Sequence, residues 1–222
     1  MTFAPGLVLN ERYEIRNALP ETQGAGCYRA LDLKLGRDVR VRSFPLPPPS
    51  EALRQFDQRT PALAGLTHPH IRIFQDVGTL RREGYTVCAW QEGRTLAELG
   101  TLPWSALQPW VDETLRVLRM AHARGLAHGR LDATCLLETP ALGLLVQDFA
   151  LCPEDAQGGS FQPADDLRAL ARIMAQALDG PPNPSFQGML TALSDGVYPP
   201  TPAPPEAGPR STRLPRNWIL GG

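Results

Sequence analysis

The side chains able to do covalent or metal chemistry are few in this 222-residue chain. Of its 22 cationic residues 21 are arginines, and Lys34 is the only lysine. A phosphate-binding lysine, a Schiff base or a lysine base must therefore be Lys34 or be absent. The four cysteines, Cys27, Cys88, Cys135 and Cys152, form no Cys-x-x-Cys pair, and no two histidines are spaced i, i+4. We therefore expect reduced core cysteines and no metal site.

The composition limits the partners that the chain can have. Its net charge of −1 gives no basic field for a nucleic acid or an anionic membrane, so neither partner is expected. No apolar run approaches the roughly 18 residues of a membrane span, and residues 1–9 lack the pattern of a signal peptide. These features predict a cytoplasmic protein. Hydrophobic residues make up 42% of the chain, which is enough for one sizeable core or two small lobes.

Hydrophobic periodicity predicts the secondary structure and an α+β fold in two lobes. Alternation of period two predicts an antiparallel sheet in the first ninety residues, with one helix that Pro61 should kink or shorten. The predicted strands cover residues 12–15, 27–31, 39–44, 71–77 and 85–90, and that helix covers 50–66. After residue 93 the period becomes 3.6. The predicted helices cover 103–124, 163–178 and 185–193, with short strands at 135–137 and 142–146.

Three units follow from this pattern. Residues 1–91 form the sheet-rich lobe, residues 92–195 form a reduced helical lobe, and residues 196–222 form a Pro-rich tail. Ten of the 23 prolines lie between Pro181 and Pro215, a composition that cannot bury enough apolar surface to fold alone.

Six segments, in the same order along residues 12–180, resemble a bacterial serine/threonine protein kinase domain. They match the family's Gly-rich turn, its V-A-I-K strand, its L-x-H-P-N-I turn, its A-H-x-x-G-x-x-H sequence, its D-F-G motif and a later helix start. In this chain they are residues 19–30, 35–42, 66–71, 121–128, 147–150 and 164–167. The resemblance implies a two-lobed kinase fold, with a hinge formed by Cys88, Ala89 and Trp90.

The chain departs from the family at most of the positions that carry kinase chemistry. Pro20, Thr22 and Ala25 stand in the slots of the three glycines, Arg42 replaces the phosphate-binding lysine, and Arg59 replaces the glutamate that pairs with it. In the catalytic loop His128 remains, Arg130 replaces the aspartate base, and Cys135 replaces the magnesium-binding asparagine. The D-F-G motif reads Asp148, Phe149 and Ala150.

These departures predict a catalytically inactive pseudokinase. Arg130 stays protonated and cannot act as a base, and the Cys135 thiol is a soft ligand that suits Mg²⁺ poorly. We expect no enzyme activity and no cofactor, and a regulatory or scaffolding role toward a protein partner. Asp148 is expected to neutralise Arg42 or Arg130, since a lone buried carboxylate is costly.

Two alternatives remain open at this stage. In the first, the chain is an unorthodox phosphotransferase or kinase homologue that binds ATP and magnesium, with Asp148 as a weak metal ligand and Arg42 or Arg130 on the phosphates. In the second, it is an adaptor whose residues 199–205 form a polyproline-type segment for a partner's groove, although the same segment also fits a plain spacer.

Overall fold

The computed structural model describes residues 3–22, 25–45, 61–72, 74–81, 83–149 and 161–200. These ranges contain a sheet-rich first part and a helix-rich second part, each with its own apolar core. The α+β architecture predicted from the hydrophobic periodicity is confirmed.

Six strands form one antiparallel sheet in the order β1-β2-β3-β4-β6-β5. They are β1 (Val8–Leu9), β2 (Tyr13–Thr22), β3 (Ala25–Asp32), β4 (Arg37–Pro45), β5 (Phe74–Leu80) and β6 (Glu83–Ala89). The strand predicted to begin at residue 71 begins at Phe74 instead. Ile71 forms a parallel bridge with Val146, and the Arg72 amide donates to the Val146 carbonyl, so the start of the predicted strand is tied to the second part.

The second part holds the helices and a small three-stranded sheet, as the periodicity after residue 93 predicts. Its elements are β7 (Arg94–Thr95), α1 (Leu96–Leu99), α2 (Trp104–His122), a 3-10 helix (Ala133–Cys135), β8 (Leu136–Thr139), β9 (Gly143–Val146), α3 (Pro163–Ala177) and α4 (Pro184–Ser194). The apolar stripe of α2 faces this core, where Leu107, Val111 and Leu118 are fully buried. The chain leaves α2 through Gly125, whose φ of +71° favours glycine.

Strand β4 is buried on both faces. Val39 and Val41 are 0% exposed and belong to the core of the first part, whereas Arg40 and Arg42 alternate with them on the other face at 7% and 8% exposure. The arginine face of β4 therefore lies against other protein groups rather than water, and it begins the site described below.

Much of the predicted helix at 50–66 lies outside the described residues. Residues 61–64 are helical, and Leu63 and Leu66 are buried in the core of the second part. The greater part of the Pro-rich tail also lies outside them, but its root packs on α2. There the Tyr198 hydroxyl donates to His122 Nδ1 at 2.6 Å, and the Arg119 guanidinium lies 4.1 Å from the Tyr198 ring centroid.

None of the described helices is long and apolar enough to span a bilayer.

Candidate functional site

Asp148 joins the two parts of the molecule. It lies two residues after β9 in a left-handed conformation with φ +68°, and its side chain is only 4% exposed. Both of its oxygens accept hydrogen bonds from Arg40 on β4, Nη1 to Oδ1 at 2.5 Å and Nη2 to Oδ2 at 2.8 Å. Arg42 Nε lies 4.0 Å from Oδ2. The result is a buried bidentate pair with a second guanidinium beside it.

The pair keeps both groups ionised. Burial acts to raise the pKa of Asp148, but the charge and hydrogen bonds of Arg40 outweigh burial and hold that pKa well below its usual range. Burial likewise acts to lower the pKa of Arg40, and the attraction of Asp148 outweighs it, so that this pKa is raised. The Arg40–Asp148 pair is therefore charged at neutral pH.

A third guanidinium, that of Arg72, completes the group. Arg72 Nη1 donates to Gln147 Oε1 at 2.5 Å, but its Nε and Nη2 are buried and have no hydrogen-bond partner among the described residues. Arg42 Nε is buried and unpartnered in the same way. The charges of Arg40, Arg42 and Arg72 all act on Asp148, and we call these four residues the arginine cluster. It holds three positive charges and one negative charge.

Two thiols lie beside the arginine cluster. Arg40 Nη2 is 3.2 Å from Cys27 Sγ, and Arg40 is opposite Cys88 in the β4–β6 register. Burial raises the pKa of Cys88 to about 11, so this thiol is neutral and does not balance the guanidinium charge. Cys27, Cys88 and Cys135 are all buried.

His128 fixes the loop before the 3-10 helix. Its fully buried ring donates through Nε2 to the Gln147 carbonyl at 2.8 Å and lies 4.5 Å, centroid to centroid, from the Phe149 ring. Its main-chain amide and that of Gly129 donate to Asp166 on α3, at 2.6 and 2.8 Å. Burial lowers the pKa of His128, so the ring is neutral. These bonds tie the loop to α3 and to the segment that carries Asp148.

The two replaced positions of the loop, Arg130 and Cys135, are joined to each other. The Cys135 thiol donates to the Arg130 carbonyl at 3.3 Å, and the Arg130 amide lies 3.3 Å from His128 Nδ1. Cys135 is 1% exposed, and burial raises its pKa well above the ordinary value, so the thiol stays protonated. Asp132 caps the 3-10 helix by accepting from the amides of Thr134 and Cys135.

The predicted hinge lies at the end of β6. Cys88 and Ala89 are its last residues, and Trp90 follows with the Arg29 guanidinium 4.7 Å from its ring centroid. Trp90 Nε1 donates to Glu92 Oε1 at 2.7 Å.

The remaining predicted positions lie around the turn between β2 and β3 or outside the described residues. Pro20 is exposed on β2, and Thr22 pairs with Ala25 across the two strands. Arg59 and Ala150 lie outside the described part of the chain.

The comparison with the family's motifs did not identify Arg40 and Arg72 as residues of the site. The expectation that Arg42 or Arg130 neutralises Asp148 holds in part, because Arg42 forms an ion pair with Asp148 at 4.0 Å. The bidentate hydrogen bonds, however, come from Arg40. The strict alternation of β4 did place Arg40 and Arg42 on one face. For Arg72, the sequence offered only the placement of an arginine between two apolar residues, Ile71 and Ile73, in a predicted strand.

Comparison with known proteins identifies the fold. No family model matches the chain. It is 27% identical over 246 residues to the serine/threonine-protein kinase PknA of Mycobacterium tuberculosis, an alignment that covers 94% of this chain and 56% of PknA. It is also 27% identical over 240 residues to the DNA damage-responsive serine/threonine-protein kinase RqkA of Deinococcus radiodurans, covering 94% of this chain and 36% of RqkA. The chain thus spans about half the length, or less, of these curated relatives.

The structure resembles the crystal structure of the Mycobacterium tuberculosis PknI kinase domain, a C20A_R136A double mutant, with a TM-score of 0.71. The match has 19% sequence identity and covers 89% of this chain and 91% of that one. The chain has the fold of a protein kinase domain. The resemblance seen in six short segments is therefore confirmed over most of the chain.

The expectation that this kinase-like chain is not an enzyme is wrong. Its relatives over 94% of its length are named serine/threonine protein kinases, which points to a kinase. The replaced motif residues alone did not justify the opposite conclusion.

Kinase chemistry uses ATP with Mg²⁺, and the described residues fit these two groups differently. Mg²⁺ requires several oxygen ligands, whereas both oxygens of Asp148 are held by Arg40, and Cys135 offers a protonated sulfur. The site as it stands therefore does not fit Mg²⁺. The unpartnered N–H groups of Arg42 and Arg72 do fit phosphate oxygens, which accept hydrogen bonds from guanidinium groups.

Proposed function

We propose that this chain is a serine/threonine protein kinase homologue that transfers a phosphoryl group from a nucleoside triphosphate to a hydroxyl group. One observation carries the proposal: buried guanidinium N–H groups without partners lie where the kinase fold brings β4 over Asp148. The names of the relatives along 94% of the chain support the same reaction class.

Guanidinium groups suit the charge that develops in this reaction. The bond from the γ-phosphorus to the leaving oxygen breaks while a bond to the attacking hydroxyl oxygen forms, through a loose transition state with negative charge on the equatorial oxygens. Fixed positive groups in a dry site stabilise such charge, as an arginine finger does. Arg42 and Arg72 are the cluster members with unpartnered donors for this purpose.

The proton of the attacking hydroxyl needs an acceptor other than Arg130. A guanidinium is protonated at any accessible pH and accepts nothing. In our proposal the proton passes to an oxygen of the transferred phosphoryl group, which leaves a phosphomonoester and a nucleoside diphosphate. Asp148 acts as a positioning residue here, because it holds Arg40 and accepts nothing from the substrate.

A radiolabel assay tests this function. The purified chain is incubated with γ-labelled ATP and casein, with EDTA, Mg²⁺ or Mn²⁺, and phosphoserine and phosphothreonine are counted after acid hydrolysis. Arg42→Met should lower the rate at least tenfold, since it removes a charged hydrogen-bond donor. Arg16→Met is the matched control, because Arg16 is an exposed arginine on β2 that pairs with Glu14 at the surface, and its rate should not change.

Two results would contradict the proposal. One is the absence of any label on casein or on the chain itself under all three conditions. The other is a rate of phosphoryl transfer that does not change in Arg42→Met. The label would then come from a contaminating kinase rather than from this chain.

A further inference from the structure

The arginine cluster has more positive charge than its own acid can balance. Among the described residues, Arg40, Arg42 and Arg72 act on one carboxylate, Asp148, and their three positive charges exceed its single negative charge by two. Buried charges without partners are costly and are retained where a ligand or another group pairs with them.

From this surplus we infer that the arginine cluster is a site for a metal-free polyphosphate, in which guanidinium groups replace the divalent cation. The ligand class is a polyphosphate anion, either a nucleoside triphosphate or inorganic tripolyphosphate. The identity of the nucleotide rests on the proposed function, whereas the site and its independence of metal do not.

The donors that would hold this anion are already in place. Arg42 Nε, Arg72 Nε and Arg72 Nη2 are buried N–H groups with no hydrogen-bond partner in the described part of the chain, and the Arg42 side chain is only 9% exposed. Phosphate oxygens accept bonds from guanidinium groups in a forked geometry that a single lysine does not provide. The bonds of Arg40 to Asp148 remain intact when the anion binds.

The same arrangement excludes a divalent cation. A metal ion at Asp148 would have to displace both Arg40 hydrogen bonds and would lie beside two further guanidinium groups. Repulsion between like charges at such distances is strong away from water. The second position, Cys135, is a buried protonated thiol rather than an oxygen ligand. The ligand therefore enters without its metal.

A binding assay on the full chain separates these possibilities. Titration calorimetry with ATP and with inorganic tripolyphosphate is run in EDTA and again in excess Mg²⁺. Both anions should bind in EDTA, and Mg²⁺ should weaken binding or leave it unchanged, because the metal neutralises the phosphates. Arg42→Met should weaken binding in EDTA at least tenfold, and Arg16→Met should not change it.

Asp148→Asn gives a test of opposite sign. Loss of the carboxylate raises the surplus charge, so a folded variant should bind tripolyphosphate in EDTA several-fold more tightly than the parent protein. If Asp148 were instead a metal ligand, Asp148→Asn would weaken the binding that depends on Mg²⁺. Tighter binding of the variant in EDTA supports the inference, and weaker binding overturns it.

The outcomes also separate this inference from the proposed function. Binding of ATP that vanishes in EDTA and returns with Mg²⁺ overturns the inference and leaves the function standing. Binding in EDTA without phosphoryl transfer under any condition overturns the function and leaves the site. Tripolyphosphate binding as tightly as ATP identifies the phosphates as the recognised group, and tenfold tighter ATP binding adds a contribution from the nucleoside.

Discussion

At the scale of single residues, Asp148 decides the character of the site. Kinase chemistry would use this carboxylate to hold a cation, but here its two oxygens are occupied by the cation of Arg40. The buried pair keeps Asp148 ionised, with its pKa below the usual range even though burial acts in the other direction. The protein therefore contains the positive charge of this site in its own side chains.

Asp148→Asn should destabilise the fold by about 3 kcal/mol at pH 7, since it breaks a buried ion pair and leaves the guanidinium groups uncompensated. The pKa of Asp148 is lowered in the folded state, so the contribution of the carboxylate is fully present above its unfolded pKa of about 3.9, declines as pH falls below that value, and is lost once pH has fallen through the folded-state pKa. Urea unfolding at pH 7 and at pH 3 measures the free energy of unfolding of parent and variant, and the difference between the two proteins should be smaller at pH 3. An equal difference at both pH values would contradict this account.

Gly129 stands where the resembling family has an arginine, and only glycine suits this position. Its φ is +82°, and a Cβ built there would lie 2.5 Å from the Phe161 ring. Gly129→Ala should therefore cost about 2 kcal/mol or more, measured by chemical denaturation, through backbone strain and steric overlap together.

Gly125→Ala is the matched control for Gly129→Ala. Gly125 has a similar φ of +71°, but nothing lies within 4 Å of its Cβ position, so this variant should show the strain alone, about 1 kcal/mol. The double variant Gly129→Ala/Phe161→Ala should not show the part of the stability loss that comes from steric overlap of the new Cβ with the Phe161 ring. Equal losses for the two alanine variants would show that Phe161 plays no part.

At the scale of elements, the first turn of α3 fixes the loop that follows α2. Asp166, 2% exposed, accepts from the amides of His128 and Gly129 and from His122 Nε2 at 2.8 Å. Burial acts to raise the pKa of Asp166, but these donors outweigh burial and lower it. One carboxylate thus joins α2, α3 and the loop.

Asp166→Asn should cost about 2 kcal/mol or more, because one of its accepting oxygens becomes an amide that cannot accept a hydrogen bond. The neighbouring Asp165→Asn is a control of identical chemistry. Its side chain is 52% exposed, pairs with Arg168 on the surface and accepts a hydrogen bond from the Gln162 amide at the start of α3. An asparagine oxygen can still accept that bond, so the loss should stay below about 1 kcal/mol. Thermal and urea unfolding of both variants would measure the difference, and comparable losses would argue against the anchoring role of Asp166.

Prediction from the sequence succeeded where periodicity carries the information. The alternation of β4 identifies its apolar face and the apolar stripe of α2 identifies its buried face, so both elements were found. The burial of the arginine face of β4 was not part of that prediction. Which acid a buried arginine meets depends instead on how distant elements pack. The motif comparison therefore identified Asp148 but missed Arg40, which alternation alone leaves as one of two arginines on the same face.

At the scale of the whole molecule, two apolar cores meet along a short polar seam. The seam contains the Arg40–Asp148 pair and the bond from Arg72 to Gln147. The kinase fold places its chemistry at this junction, and here the same junction holds the arginine cluster. The site and the contact between the two cores are therefore built from the same residues.

The pair at this seam also has a consequence for the order of folding. Arg40 and Asp148 are 108 positions apart in the chain and lie on opposite sides of the junction between the two cores, so we expect their bond to form after each core has condensed. Arg40→Ala should then leave the refolding rate within about twofold of the parent protein, and it should speed unfolding about a hundredfold for a loss of about 3 kcal/mol. Stopped-flow chevrons measure both arms. A slower folding arm with an unchanged unfolding arm would place the pair in the folding nucleus instead.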